Sequence, residues 1–140
     1  NLKIELDIVQ STLKGLNTDV VSLGGSGATK VLTAADSCAI VKMGGSDAST
    51  VTLPAAAEGL KFRFVATTAH AHVINGGASS IQGGYHHNTN AATVARVAVS
   101  NKSSLTLHNS NAAQGDTLEM WCDGEDWHVS GIVNDVITQA

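Results

Sequence analysis

Apolar and polar residues alternate along most of this chain with a period of two. At the amino end, Leu2, Ile4, Leu6 and Ile8 alternate with Lys3, Glu5 and Asp7, giving one apolar and one charged face. That is the pattern of a half-buried strand. Leu13, Leu16 and Val20 follow at near-helical spacing, interrupted by Gly15 and closed by Gly24-Gly25-Ser26-Gly27. A short helical turn and a loose arm fit this stretch equally. The glycine cluster marks a boundary, predicting an N-terminal arm and linker over 1–27 and a compact β domain over 28–140.

Within the body, short strands are predicted around Val31 and Leu32, over Cys38–Met43, and over Thr50–Leu53, where Pro54 ends the strand because it has no ladder donor. Residues 55–59 read as a turn. Leu60, Phe62 and Phe64 alternate with Lys61 and Arg63 in the clearest strand of the body. His70, His72 and Ile74 share one face of the next predicted strand, and Ile81 centres a further short one. Residues 86–90, His-His-Asn-Thr-Asn, read as a polar loop. Val94 and Arg96 alternate with Ala95, Val97 and Val99, and Leu105 and Leu107 point inward. Leu118, Met120 and Cys122 lie on one face of a strand that turns through Asp123-Gly124-Glu125-Asp126 into Trp127 and Val129. An Asp-Gly pair between alternating runs is a strong hairpin signal. Short strands recurring about every ten residues predict an all-β fold, an antiparallel β-sandwich or jelly-roll-like barrel with an extended N-terminal arm. The short strands and glycine turns also admit a β-helix stack, although no exact repeat of solenoid length stands out.

Composition narrows the picture. The chain has 140 residues, enough for one domain with its own core. Aromatic residues are only 4%, so the core must be built mostly from Val, Ile, Leu and Ala. The net charge of −4 weighs against nucleic acid, since phosphate neutralisation needs clustered Lys and Arg. No apolar run approaches the roughly 20 residues of a membrane span, and no signal peptide is visible. Neither nucleic acid nor membrane is an expected partner.

Few side chains offer chemistry. His70 and His72, with His86 and His87, could form a transition-metal site, but the 66–95 region holds no carboxylate or cysteine to complete one. Polar-loop or core histidines are the simpler reading. Asp123, Glu125 and Asp126 resemble part of a calcium loop without its full pattern, and a hairpin turn accounts for them. Cys38 and Cys122 lie far apart in the sequence, match no zinc spacing and read as two buried free thiols, the alternative being a disulfide, which would need an oxidising compartment. No nucleophile elbow, phosphate cradle or carboxylate pair is present. The expectation is no enzyme, no metal and no cofactor. Trp121, Trp127 and Tyr85 are the large aromatics that could stack on a sugar; both tryptophans flank the hairpin turn, so at least one belongs to the core.

The body carries Ala39-Ile40-Val41, Thr50-Val51-Thr52-Leu53-Pro54-Ala55-Ala56 and Gly59-Leu60-Lys61-Phe62-Arg63-Phe64-Val65. These are followed by Ser80-Ile81-Gln82-Gly83, Ser104-Leu105-Thr106-Leu107, Gly115-Asp116-Thr117-Leu118-Glu119-Met120, and residues 123–131, DGEDWHVSG. This order resembles a small β domain that recurs in tailed-bacteriophage virion proteins, among them head-decoration (cement) proteins and domains of tail fibres, notably of marine and cyanobacterial phages. The resemblance spans residues 30–133. Glu125-Asp126 departs from the usual Thr-containing pair before the tryptophan, and the His-rich 70–87 segment lies outside the pattern. The resemblance implies a structural virion protein. On this reading a homotrimer decorates the outside of the phage head, with the major capsid protein as partner and the virion surface as location. The alternative is a tail- or fibre-associated module that binds a host glycan or another virion protein. The expected interface is the apolar face of the arm, Leu2, Ile4, Leu6 and Ile8, paired with a neighbouring subunit or the capsid lattice.

Overall fold

A computed structural model describes residues 19–89, 93–110 and 114–140. The arm residues Leu2, Ile4, Leu6 and Ile8 lie outside the described residues. The described chain is an all-β sandwich of two sheets. One is seven-stranded, in the order β1-β3-β5-β10-β11-β7-β8, and the other is five-stranded, in the order β12-β9-β6-β4-β2. The strands are β1 (Val20–Leu23), β2 (Thr29–Val31), β3 (Ile40–Met43), β4 (Thr50–Thr52), β5 (Lys61–Ala66), β6 (Val73–Asn75), β7 (Ile81–Thr89), β8 (Thr93–Lys102), β9 (Ser104–Thr106), β10 (Thr117–Cys122), β11 (Trp127–Val133) and β12 (Thr138–Gln139).

The two-layer all-β expectation holds, but the sheets are mixed rather than antiparallel. Strands β1, β3 and β5 run parallel in the first sheet. Strands β2, β4 and β6 run parallel in the second. The chain crosses to the other layer after each strand, so residues 20–75 wind as three coils of a β-helix. The register runs from Val20 to Ile40 to Arg63 in the first sheet. In the second it runs from Thr29 to Thr50 to Val73, so the coils are of nearly equal length. They coincide with a sequence echo: Val21-Ser22-Leu23-Gly24-Gly25-Ser26 returns as Val41-Lys42-Met43-Gly44-Gly45-Ser46, and Leu32-x-Ala-Ala as Leu53-x-Ala-Ala. Alternation reports which face of a strand is buried; it carries no information on partner or direction.

The corners stack as the strands do. Gly45 has φ +105°, and a Cβ there would lie 2.5 Å from the carbonyl oxygen of Gly25 in the previous coil, so only glycine fits. At the opposite end of the same turns, the carbonyls of Ala28, Ser49 and His72 accept from Thr50, Val73 and Leu107 in succession, each at 2.9 Å. The boundary expected at residue 27 is therefore misplaced. Val20–Leu23 belongs to the first coil, with Leu23 buried, and the glycine cluster is a corner of the body.

Antiparallel pairing closes the stack. β10 lies against β5, and β9 against β6. β10 and β11 form the expected hairpin, pairing Cys122 with Trp127 and Met120 with Val129. The predicted polar loop at His86–Thr89 is instead the end of the nine-residue strand β7, paired with β11 and β8. His86, level with the exposed Ile132, sits on the face of the sheet turned to solvent. His70 and His72 precede β6 rather than forming a strand.

The core lies between the layers. Val41, Met43, Phe62, Phe64, Leu118, Met120, Trp127 and Val129 meet Val51, Ile74 and Leu105 from the second sheet. Trp127 is fully buried, with its ring 5.8 Å from that of Phe62. Tyr85 is also fully buried, and its hydroxyl accepts from the Ile137 N–H at 2.9 Å, tying down the C-terminal segment. Both cysteines are free; Cys122 is buried as expected, whereas Cys38 is only half-buried, on a strained backbone at φ +74°.

Candidate functional site

The hairpin that packs the core carries the most distinctive exposed group on its other face. Residues of β10 alternate, so Leu118, Met120 and Cys122 point inward while Glu119 and Trp121 point out. Trp121 is 52% exposed, in contrast to Trp127, Tyr85 and the two phenylalanines, which are buried. Its ring stacks on the imidazole of His128, its cross-strand partner, at 4.4 Å between centroids and 17° between planes. His128 is held in turn, donating from Nε2 to Asp123 Oδ2 at 2.7 Å.

Asp123 organises the turn. Its Oδ1 accepts from the N–H groups of Glu125 and Asp126, both at 2.9 Å. These donors, Asp126 N–H first and the His128 side chain next, hold its carboxyl far below the usual carboxylate range. Asp126 accepts from Gln82 Nε2 at 3.3 Å, and Gln82 also donates to Asn101 Oδ1 at 2.7 Å. Asp123 and Asp126 thus direct oxygens at the protein's own donors, as a hairpin turn requires. Glu125 is exposed.

On the other side of Trp121 lies β5, with Lys61 directly opposite it. Lys61 and Arg63 share this outer face with Lys42 of β3, since Ile40 pairs with Arg63 and Lys42 with Val65. Arg63 Nε lies 3.7 Å from Glu119 Oε1, with both side chains more than half exposed, a pair worth well under about 1 kcal/mol. From Arg63 and Glu119 an open groove of about 590 Å³ runs on past Thr117, Ser130 and Ile132. Ile132 is 69% exposed.

The histidines divide between the two sheets. His72 is fully buried. Its Nδ1 accepts from the Ser49 N–H at 3.1 Å and lies 2.9 Å from Ser49 Oγ, and its Nε2 donates to the Thr68 carbonyl at 3.1 Å. This fixes the neutral tautomer, and burial lowers its pKa from 6.5. His72 is a corner fastener between two coils. The His70 ring meets it edge-on at 6.0 Å. His86 and His87 lie far along β7, on opposite faces of the seven-stranded sheet. Among the described residues, no three His, Cys, Asp or Glu gather as metal ligands would, and no helix is long and apolar enough to cross a membrane.

Comparison with family models, with curated proteins and with solved structures finds no match. The site is therefore read from its own geometry. Alternation in the sequence identifies the inward face of the hairpin. It does not reveal the stacking of Trp121 on His128, although their positions, two residues before the turn and two after its last acid, place them opposite one another.

Proposed function

We propose that this chain is a structural virion protein, a decoration protein that binds the outside of a phage head as a homotrimer and ties neighbouring capsid subunits together. One observation carries the assembly role: the open end of the coil stack. β1 and β2 are both sheet edges and both belong to the first coil. Asp19 and Leu23 bond to β3, and Ala28 and Leu32 to the β4 side. By alternation, the N–H and C=O groups of Val20, Ser22, Thr29 and Val31 point away from the sandwich. The Val20 and Val31 side chains are 61% and 66% exposed. Among the described residues this edge has no partner strand, and an edge with apolar flanks is a template for another strand. The alternating segment Leu2–Ile8 precedes it in the sequence and offers a strand of the right pattern. The resemblance of its short motifs, in their order, to those of phage β domains supports reading this assembly as part of a virion.

The decisive experiment removes residues 1–18, ahead of β1, and measures occupancy on capsids lacking the protein. The shortened chain should fold, with an unchanged circular dichroism spectrum, and bind the particle poorly. Full occupancy would overturn the reading. Copy number in purified particles separates the capsid from the alternative, a tail or fibre module: a value matching the head lattice supports decoration, and one matching the tail supports the alternative. Light scattering of the isolated protein should give three times 14.3 kDa.

A further inference from the structure

We propose that the free face of Trp121, together with Lys61 and Arg63 beside it, is a subsite for an acidic pyranose oligosaccharide. The inference goes beyond the assembly reading and does not depend on where on a particle the chain sits.

The first argument is the cost of exposing this ring. The chain has five Phe, Trp and Tyr residues, and the fold buries four of them. The fifth, Trp121, stands on a flat sheet face, where a polar residue would suffice. An indole held on a sheet presents a rigid apolar plane, the shape that matches the C–H face of a pyranose. The second argument is preorganisation. One face of Trp121 is covered by His128, which Asp123 locks through the Nε2–Oδ2 hydrogen bond of 2.7 Å. The rotamer entropy of the ring is thus lost on folding rather than on binding, which favours a weak ligand. The uncovered face looks toward β5.

The third argument is charge. The protein as a whole carries −4, yet β5 sets Lys61 directly opposite Trp121 and Arg63 two residues on, with Lys42 of β3 level with Val65 at the Thr117 end of the track, while the carboxylates of this surface are engaged within the protein: Glu119 by Arg63, Asp123 by His128 and the turn N–H groups, and Asp116 by the Asn134 N–H. A local cationic strip on an acidic protein selects anionic ligands. The fourth is extent. The groove that begins at Arg63 and Glu119 continues to Thr117 and Ile132, so the track along β10 from Trp121 to Thr117 covers about 14 Å at the rise of a strand. That length holds several sugar rings in a row, not one. An extended carboxylate-bearing chain would stack one ring on Trp121, place a carboxylate on Lys61, and lay its next rings over Arg63 into the groove.

The test uses the full chain and two probes of equal length, an oligogalacturonate and a neutral galacto-oligosaccharide. Binding is read by tryptophan fluorescence and by amide shifts. Trp127 is buried, so a change in emission on titration reports on Trp121. The acidic probe should bind with a Kd in the roughly millimolar range or better. Trp121→Ala should weaken it by at least about tenfold, and Lys61→Gln by about three- to tenfold, with thermal midpoints unchanged in both. Trp121→Phe should restore part of the affinity. Amide shifts should run from Trp121 toward Thr117. No response to the acidic probe, equal affinity for the neutral one, or binding that survives Trp121→Ala would each overturn the proposal.

Discussion

The two halves of the molecule solve the same problem by opposite means. In residues 20–75 each strand pairs, in parallel, with the strand one full coil further on, reached through a crossing to the other layer. In β10 and β11 the partner is reached across the short Asp123–Asp126 turn, antiparallel. The hairpin sets its own register through turn chemistry, because Asp123 satisfies the two N–H groups that the turn frees. The coils have no such local device. Their register rests on contacts between successive corners, Gly45 against Gly25 and His72 against Ser49. The difference teaches where each half is vulnerable: the hairpin in its packing, the coils at their corners.

Four measurements break or sharpen that contrast. The largest effect is expected in the hairpin. Trp127→Ala removes the largest buried side chain and should cost about 3–5 kcal/mol in urea unfolding. A cost below about 1 kcal/mol would show that the core does not hinge on this half. Next, Gly45→Ala forces a side chain into the left-handed region against a backbone carbonyl, and should lower stability by about 1–3 kcal/mol. If it is neutral in thermal melts, the corners do not set the register.

The third is a pH dependence. Folded His72 is held neutral, whereas the unfolded chain takes up a proton near pH 6.5, so acid favours unfolding. Stability due to His72 is complete above that pH and declines below it, toward the lowered folded value, by at most about 1.4 kcal/mol per pH unit. His72→Gln should be less stable at pH 8 and show a flatter profile between pH 5 and 7, an interval that brackets the unfolded value of about 6.5. Identical slopes in both proteins would remove His72 from its role. The smallest effect belongs to the exposed tip of the turn: Glu125→Ala should stay within about 0.5 kcal/mol. Asp126→Ala should cost more than Glu125→Ala, because Gln82 donates to it.

How much was legible in the sequence follows the same divide. The inward set Leu118, Met120, Cys122, Trp127 and Val129 could be read residue by residue, because a hairpin's partner is the next strand and the turn announces itself. The coils could not, because a strand that pairs with the strand after next leaves no mark in its own alternation. The available signals were the recurrence of Leu/Met-Gly-Gly-Ser at residues 23–26 and 43–46 and of Leu-x-Ala-Ala at 32–35 and 53–56, too short and too degenerate to stand out as a repeat. Gly24–Gly27 was legible as a turn, yet a turn that ends a linker and one that ends a coil have the same composition. His86 and His87 looked like loop residues because they are polar. They are strand residues because β11 and β8 supply their backbone partners from either side, a long-range fact. Trp121 was legible as an aromatic, but only its three-dimensional neighbours distinguish it from Trp127.

The placement of β10 beside β5 has a consequence for how the chain is made. During synthesis the three coils emerge before the strands β7–β11. The strand that covers the last of them is made only after β7, β8 and β9, so Met120 must find Phe62 across a long intervening stretch. Until then the inner edge of β5 and the apolar faces of Phe62 and Phe64 stay uncovered. Pairings of this sequence separation form slowly, and open edges of partly made sheets invite association between nascent chains. The two edges of the stack therefore belong to different moments: β5 is exposed during birth and closed at completion, whereas β1 has no outer partner among the described residues of the finished molecule. Slowing translation after residue 75 should raise aggregation, and supplying the 115–133 hairpin as a peptide in trans should suppress it.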